Sequence, residues 1–471
     1  MPSFAFLSPQ EVETLHQATL RILGEVGVVL NHPGGRKILA EAGARIQNER
    51  VLLPPELVEK CIGLCPKTVT VRGRGGTVKT LGDGNLYFHN LGGARDIFDH
   101  ATGEKRYASL QDVRDATRLL DALENCHTIT PFFTPRDVPG ELMSLAMYRH
   151  AMPYTTKPLH GPGVQYPGEV KYTLEMAAVL GTPAEVLTLA VSPVSPLTIP
   201  DHEVEAIIEI ARAGIAFGPL PCPTAGTTAP LSIAGAIAQQ NAEVLAPLVL
   251  AQLVHPGLPI FYCGRLAMME PRTGISVWGG VELCLASAGT VQVGHRYGLP
   301  VNVYGFSTNA HALDIQDGFE RGINAAIPAL VGADELSGIG EMEAGVSGSF
   351  AQMVADNEFA SSVLRLRRGF TVSEESLAVE VIAMVMNGTR NFLGQKHTMK
   401  YLKSGEVFMT KLAERATWEQ WEAGGRKNLA WRAQAEAEKI LHEHQVEPLS
   451  DAQEQELDCI MAAAEKELVK N

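Results

Sequence analysis

The stretch YGFSTNAHALDIQDGFERG, residues 304–322, sets Ser307, Thr308, Asn309 and His311 between an apolar strand and a helix. That is more hydrogen-bonding groups than a plain turn requires. Asp314 is placed to cap the helix, and Ile315, Phe319, Ile323 and Ile327, four apart, predict one buried stripe along it. Similar groups recur at the C-terminal ends of other predicted strands. They are His89 and Asn90, Phe132 and Phe133, His160, Ser192, Thr224 and Thr227, then Tyr262 and Arg265. Tyr304 and Phe306 precede the loop, and GIGEME adds Glu341 and Glu343. The set is rich in aromatic and neutral hydrogen-bonding groups and poor in acid–base pairs, so no residue stands out as a catalytic acid, base or nucleophile. Such a site suits a reaction without proton transfer. A quaternary ammonium ion fits, because aromatic faces attract it and it has no proton to give. Each residue also has a plainer role open to it: the histidines as satisfied structural groups, the aromatics as core, Arg265 as the partner of a neighbouring carboxylate. Glu282 and Glu320 fall inside helices, where a solvated or structural role is expected.

Other chemistries are missing. No H-E-x-x-H or C-x-x-C spacing offers a metal site, no G-x-S-x-G elbow a nucleophile, and no Walker loop a phosphate cradle. The glycines of VRGRGGTV (71–78) lack both the dinucleotide spacing and a following helix.

The elements that would position these residues alternate. Candidate strands are NLYFHN (85–90), HTITPFF (127–133), TTKPLHG (155–161), VLTLAVS (186–192), FGPLPCPTAG (217–226), PIFYCG (259–264), PVNVYGF (300–306) and ADELSGIG (333–340). Helical stretches separate all of them. Eight strand–helix units predict a (β/α)8 TIM barrel over residues 84–370, whose chemistry would sit at the C-terminal strand ends. An N-terminal helical region is expected over 1–83. Ser8 and Glu11 form a capping box there, Pro9 opens the helix and Gly27 ends it. Residues 371–471 read as a charged C-terminal helical extension, packed on the barrel or on a partner subunit, and a homo-oligomer is expected.

Bulk properties bound the rest. The chain has 471 residues, 45% of them hydrophobic and 20% charged, with a net charge of −14. That balance argues against a nucleic-acid partner, whose phosphates need clustered Lys and Arg. Seven scattered cysteines do not make a disulfide framework, and Cys61 and Cys65, four apart on a helix, read as core thiols. With no secretory pattern at the N-terminus and no apolar run of about 18 residues, a cytoplasmic protein with no membrane partner is expected.

The run from Met269 to Glu343 resembles the trimethylamine methyltransferase superfamily. The resemblance rests on R-T-G at Arg272–Gly274, the glycine turn and Glu at Gly279–Glu282, YGLPV at Tyr297–Val301, and D-x-Q at Asp314–Gln316. Glu320, the glycine-rich ending at Gly332–Gly340, TTKPLH (155–160), FLGQKHTMKYL (392–402) and TLRILGEVGV near the N-terminus extend it over nearly the whole chain. It implies a (β/α)8 barrel that moves a methyl group from an amine to the cobalt of a corrinoid (cobalamin), carried by a separate cognate corrinoid protein. Founding members read a codon as pyrrolysine, in the position of the 307–311 loop. This sequence uses only the standard twenty residues and so resembles the branch that demethylates quaternary amines. Glycine betaine is the first choice, as the commonest small betaine; proline betaine, carnitine and γ-butyrobetaine are alternatives.

On this reading His89, Phe132, His160, Arg265, Tyr304, Phe306, Asn309, His311 and Glu341 contact the amine, while Ser307 and Thr308 face the corrin. A betaine carboxylate needs a donor, which Arg265, His160, His311 or Asn309 could supply. No metal site is expected. Two other classes compete. A ligand-binding subunit without turnover would want the Asp-x-His-x-x-Gly motif of a corrinoid carrier, which is absent. A barrel lyase or decarboxylase of a small acid would want a catalytic Lys, and Lys157 is the only one on a strand.

Overall fold

The computed structural model describes residues 4–161 and 168–469; residues 1–3 and 470–471, at the outer edges of the expected terminal regions, lie outside them. The chain is an α/β fold. Seven of the expected strands are present, as Tyr87–Asn90, Leu159–His160, Leu187–Val191, Phe217–Pro219, Tyr262–Gly264, Val301–Tyr304 and Glu335–Ile339. In place of a strand, 127–133 contributes single bridges at Thr128, Ile129 and Phe133.

Pairing among these segments is parallel and follows chain order. His89 pairs with Thr128, Ile129 with Leu159, Leu159 with Leu187, Leu189 with Phe217, and Phe217 with Ile260. Tyr262 then pairs with Val301, Asn302 with Glu335, and Glu335 returns to Tyr87. Continuous ladders form a three-stranded and a four-stranded sheet, which isolated bridges join at two seams. At the first seam side chains replace ladder bonds. The Asn90 amide donates to the Thr130 carbonyl (2.6 Å) and accepts from the Thr130 N–H (3.0 Å), while His127 Nδ1 accepts the Phe88 N–H (3.1 Å). Strands 187–191 and 335–339 are buried at every position, as parallel strands covered on both faces must be.

Helix Ile233–Val254 is long and apolar enough to cross a membrane by length and composition, contrary to the expectation that no such run exists. It lies mostly buried inside the fold. Its amide nitrogens find partners there, Gln240 donating to Thr290 and Asn241 to Thr19 and Tyr297.

The N-terminal segment opens as expected, with helix Pro9–Arg21 and the Ser8–Glu11 capping box, but closes in a π-helical turn, Ile22–Val26, before Gly27 at φ 75°. Helices Pro33–Glu41 and Pro55–Leu64 follow. Two small antiparallel sheets lie among and after them, so the segment is not purely helical. One ladder pairs Val69–Arg72 with Val78–Leu81, and the glycines of VRGRGGTV make its turn, Gly73 N–H donating to the Thr77 carbonyl. At the other end of the chain, helix Leu429–Glu443 packs on Phe350–Arg368 and on Leu110–Ala122, and Asp451–Leu468 on Glu169–Leu180.

Helix Ile315–Val331 corrects one expectation. Asp314 caps it, accepting from the N–H groups of Gln316 and Asp317. The predicted apolar stripe is not buried, however: Ile315 is 91% exposed and Phe319 58%. The buried face carries Asp317, Arg321, Asn324, Ala325 and Pro328. Arg321 sets that rotation. Its guanidinium, wholly buried, bonds Asp317 (2.6 Å) and Asp356 (3.0 Å) and donates to the carbonyls of Phe306 and Glu341. A buried charge with four partners outweighs the gain from turning two apolar side chains inward.

Two substitutions check this account in urea unfolding. Asp314→Ala removes one cap and is expected to cost about 0.5–2 kcal/mol. Arg321→Met leaves buried carboxylates unpaired and is expected to cost more, about 3–5 kcal/mol. Equal or reversed losses would contradict the order of importance assigned to the two residues.

Candidate active site

A small cavity of about 70 Å³ lies at the C-terminal ends of the parallel strands, and His89, Thr130, His160, Arg265, Tyr304 and Ser337 are among its lining residues. Five expected strand-end residues, from four different segments, therefore meet there: His89, Asn90, His160, Arg265 and Tyr304. The two histidine rings stand edge to face, 5.4 Å apart, and the Arg265 guanidinium lies over the Tyr304 ring at 4.4 Å.

Arg265 is 2% exposed. Its Nη1 donates to the carbonyls of Gly264 (3.0 Å) and Asn302 (3.1 Å), and its Nη2 to Asn302 Oδ1. Nε has no partner. The Nε–H and the remaining Nη2–H share one edge of the planar fork, the edge that grips a carboxylate with two parallel bonds. Among the described residues no carboxylate lies within ion-pair distance of this cation.

Asn302 organises what surrounds it. Its amide nitrogen donates to Glu335 Oε2 (2.6 Å) and to His89 Nε2 (2.9 Å), while its oxygen faces Arg265. His89 therefore accepts at Nε2 and carries its proton on Nδ1. Burial pushes the His89 imidazole down to about 4, so it is neutral at physiological pH. Burial also holds His160 well below the usual range, and its Nδ1 meets Thr188 Oγ1 at 2.7 Å. Burial would raise the Glu335 carboxyl, but the Lys79 ammonium at 2.7 Å and the Asn302 amide bring it down to about 2. Lys79 and Glu335 thus form a closed pair, and Arg265 is left as the uncompensated charge beside the cavity.

Glu341 stands just behind, accepting from Ser307 Oγ (3.1 Å). Burial pushes its carboxyl up to about 8 against the pull of Arg321, so it is mainly protonated near pH 7.

The other residues expected to contact the amine or the corrin do not line the cavity. Phe132 packs against Phe133, ring centroids 4.6 Å apart, and Phe306 against Phe88 at 5.8 Å; both are core. Asn309 turns back, its Oδ1 accepting the N–H groups of Trp278 and Gly279, and Thr308 donates to Glu320. These bonds clamp the loop onto a neighbouring turn, where a Cβ on Gly279 would meet Glu320 Oε2 at 2.0 Å. His311 points to solvent, its side chain 78% exposed and 3.7 Å from Glu343. Lys157 donates to the carbonyls of Leu120 and Leu123 at the end of a helix, away from the cavity. The groups the sequence did not disclose are Asn302, Glu335 and Lys79. A polar residue between two valines in PVNVYGF was the one available signal, for Asn302.

A profile of the family described as Trimethylamine methyltransferase (MTTB) matches residues 1–468. A trimethylamine methyltransferase of Desulfitobacterium hafniense (strain DSM 10664 / DCB-2) is 31% identical, over 95% of this chain and 91% of that protein. One from Methanosarcina barkeri is 30% identical, over 97% and 94%. A glycine betaine methyltransferase of Desulfitobacterium hafniense (strain Y51) is 27% identical, over 99% and 98%. Among solved structures, the Methanosarcina barkeri monomethylamine methyltransferase overlays with a TM-score of 0.49 at 13% identity, covering 93% of each chain.

The raised Glu341 carboxyl gives a signed pH dependence. Between its unfolded value near 4.3 and its folded value of about 8, the native chain holds a proton that the unfolded chain has lost. Its contribution to stability therefore falls as pH rises through that window. Glu341→Gln is expected to flatten the decline in melting temperature between pH 5 and pH 8. An unchanged slope in the variant would mean that Glu341 is ionised in the native state.

Proposed function

This chain belongs to the trimethylamine methyltransferase family, and we propose that it moves a methyl group from a carboxylated quaternary amine, glycine betaine first, to the Co(I) of a corrinoid held by a cognate protein. It is a methyltransferase that acts on a methylated amine. The ring of parallel pairings is read as a (β/α)8 barrel, flanked by the N-terminal region over 1–83 and the helical extension over 371–471. The site is its mouth. The chain works in the cytoplasm, as a homo-oligomer, with no nucleic-acid or membrane partner.

One observation carries the choice of donor: the buried guanidinium of Arg265, whose Nε has no partner and which has no carboxylate within ion-pair distance among the described residues. A simple tetraalkylammonium ion would meet an uncompensated positive charge there. A betaine brings its own carboxylate, which closes the fork and leaves the ammonium end free. Reduced cobalt supplies the nucleophile. The C–N bond breaks with its electron pair going to nitrogen, and the amine departs neutral, so no side chain needs to give it a proton. Neutral His89 and His160 suit that chemistry, since neither adds a second positive charge near the ammonium group. Residues of this chain supply alignment and exclusion of water, which can provide much of such a barrier reduction. Tyr304 lines the cavity and is held in place by Arg265 and by Trp278, whose ring meets it edge-on at 5.3 Å.

Arg265→Gln tests the donor assignment with free cob(I)alamin as acceptor and formation of methylcobalamin as readout. Loss of a buried charged bond of about 2 kcal/mol corresponds to roughly a 30-fold fall in kcat/KM for glycine betaine. Slow turnover of tetramethylammonium is expected to be unchanged or faster. Equal losses on both donors would sink the carboxylate role while leaving methyl transfer itself intact. Inertness of the wild type toward proline betaine, carnitine, γ-butyrobetaine and glycine betaine alike would overturn the donor class.

A further inference from the structure

We infer that Lys79 is a positioning residue for donor binding: by holding Glu335, it keeps the Arg265 guanidinium unclaimed for the carboxylate of the donor. The inference rests on the reading of the donor as a carboxylated amine, and it adds to that site a residue from outside the parallel strands.

Lys79 breaks the pattern of its own element. In the hairpin of Val69–Arg72 and Val78–Leu81 the buried positions are Val69, Val71, Lys79 and Leu81, with Lys79 paired opposite Val71. Three of the four are apolar, as a face turned to the core requires. The fourth is a lysine only 4% exposed. Val69 and Leu81 pack with Ala216 and Phe261, which immediately precede strands Phe217–Pro219 and Tyr262–Gly264. The hairpin therefore lies at the N-terminal ends of the strands, and Lys79 enters the fold from the end opposite the cavity. A buried ion pair adds little stability over apolar side chains of the same volume. A residue that breaks its local pattern without such a gain is expected where function sets the choice.

Three hydrogen bonds link that charge to the cavity. Lys79 Nζ donates to Glu335 Oε1 (2.7 Å), Asn302 Nδ2 to Glu335 Oε2 (2.6 Å), and Arg265 Nη2 to Asn302 Oδ1. One amide thus separates the carboxylate of Glu335 from the guanidinium of Arg265. All four side chains belong to residues no more than 4% exposed, so water cannot stand in for a lost partner. Arg265 is the next cation along this chain of bonds. Without Lys79, an ionised Glu335 would draw the guanidinium toward itself to offset its buried charge. A protonated Glu335 would offer its hydroxyl to Asn302 Oδ1 and compete for the oxygen that holds Arg265. Either route changes how the guanidinium meets a carboxylate in the cavity. Neither bears on a donor that has no carboxylate to present.

The test is calorimetric binding of glycine betaine and of tetramethylammonium to the purified full chain, with no methyl acceptor present. Lys79→Met is expected to weaken glycine betaine at least about tenfold and to leave tetramethylammonium unchanged or tighter. Lys79→Met with Glu335→Gln removes the competing carboxylate together with its partner. It is expected to return the ratio of the two affinities to within about threefold of the wild type. Where Lys79→Met does not fold by circular dichroism, the exchange Lys79→Glu with Glu335→Lys carries the test. It keeps an ion pair but sets an ammonium against Asn302, and a loss of about tenfold for glycine betaine alone is expected again. A pair that serves stability only would leave the ratio unmoved in every variant that folds, and that result overturns the proposal. So does a parallel loss on both ligands, or a ratio that Glu335→Gln does not restore. A wild type that binds no betaine overturns the donor reading and this proposal with it. A wild type that binds betaine, with variants that keep its ratio, overturns the role of Lys79 alone.

Discussion

A positive charge buried at the strand ends, with no ion-pair partner among the described residues, is the constraint around which the site is built. Arg265 is held by carbonyls and one amide oxygen, and the orientation of that amide is decided further back. Asn302 can aim its oxygen at Arg265 because Glu335 takes its nitrogen, and Glu335 stays ionised because Lys79 faces it. Lys79 comes from the hairpin Val69–Leu81, outside the parallel strands. The same amide nitrogen fixes the His89 tautomer. One short network therefore sets both the orientation of the guanidinium and the tautomer of the imidazole. Breaking it at Lys79 would leave Glu335 buried and unpaired, which costs several kcal/mol.

A second buried cation does a different task. Arg321 ties helix 315–331 to the ends of strands 301–304 and 335–339 through the carbonyls of Phe306 and Glu341. The loop between strand and helix is thereby fixed at both ends, and its own side chains complete the job. Thr308, Asn309 and Glu320 satisfy backbone and hydroxyl groups that have left regular structure and cannot reach water. The polar density that makes YGFSTNAHALDIQDGFERG look like a site is thus mostly scaffold. Only Tyr304 enters the cavity from it.

This difference marks what could be read from residues in order and what could not. Strand–helix alternation was legible because each parallel strand is a short apolar run bounded by turn residues, and Asp314 announced its cap through type and place. His89, His160, Arg265 and Tyr304 were legible as strand-end residues. Their convergence on one cavity depends on parallel pairings between segments far apart in the chain. The Lys79–Glu335 pair spans 256 positions, and no local pattern foretells it. The rotation of helix 315–331 was misread because apolar spacing of four was weighed without the arginine that outweighs it. The run 370–409 was legible as helical but its exposure was not, since apolar helical spacing predicts a covered face.

The arrangement also explains how a site with so few ionisable groups free to act can serve the proposed reaction. General acid or base help is of little use when the leaving group departs as a neutral amine, so selection can act on fit and charge balance instead. On the proposed reading, Arg265 would discriminate by what it leaves unpaired: a donor without a carboxylate would bury its own charge beside another of the same sign. Such discrimination requires that the fork not relax toward an internal carboxylate. The two nearest candidates are each withdrawn, Glu335 by its pairing with Lys79 and Glu341 by protonation. On the proposed reading, selectivity would depend on removing internal competition for one arginine, through residues that line no part of the cavity.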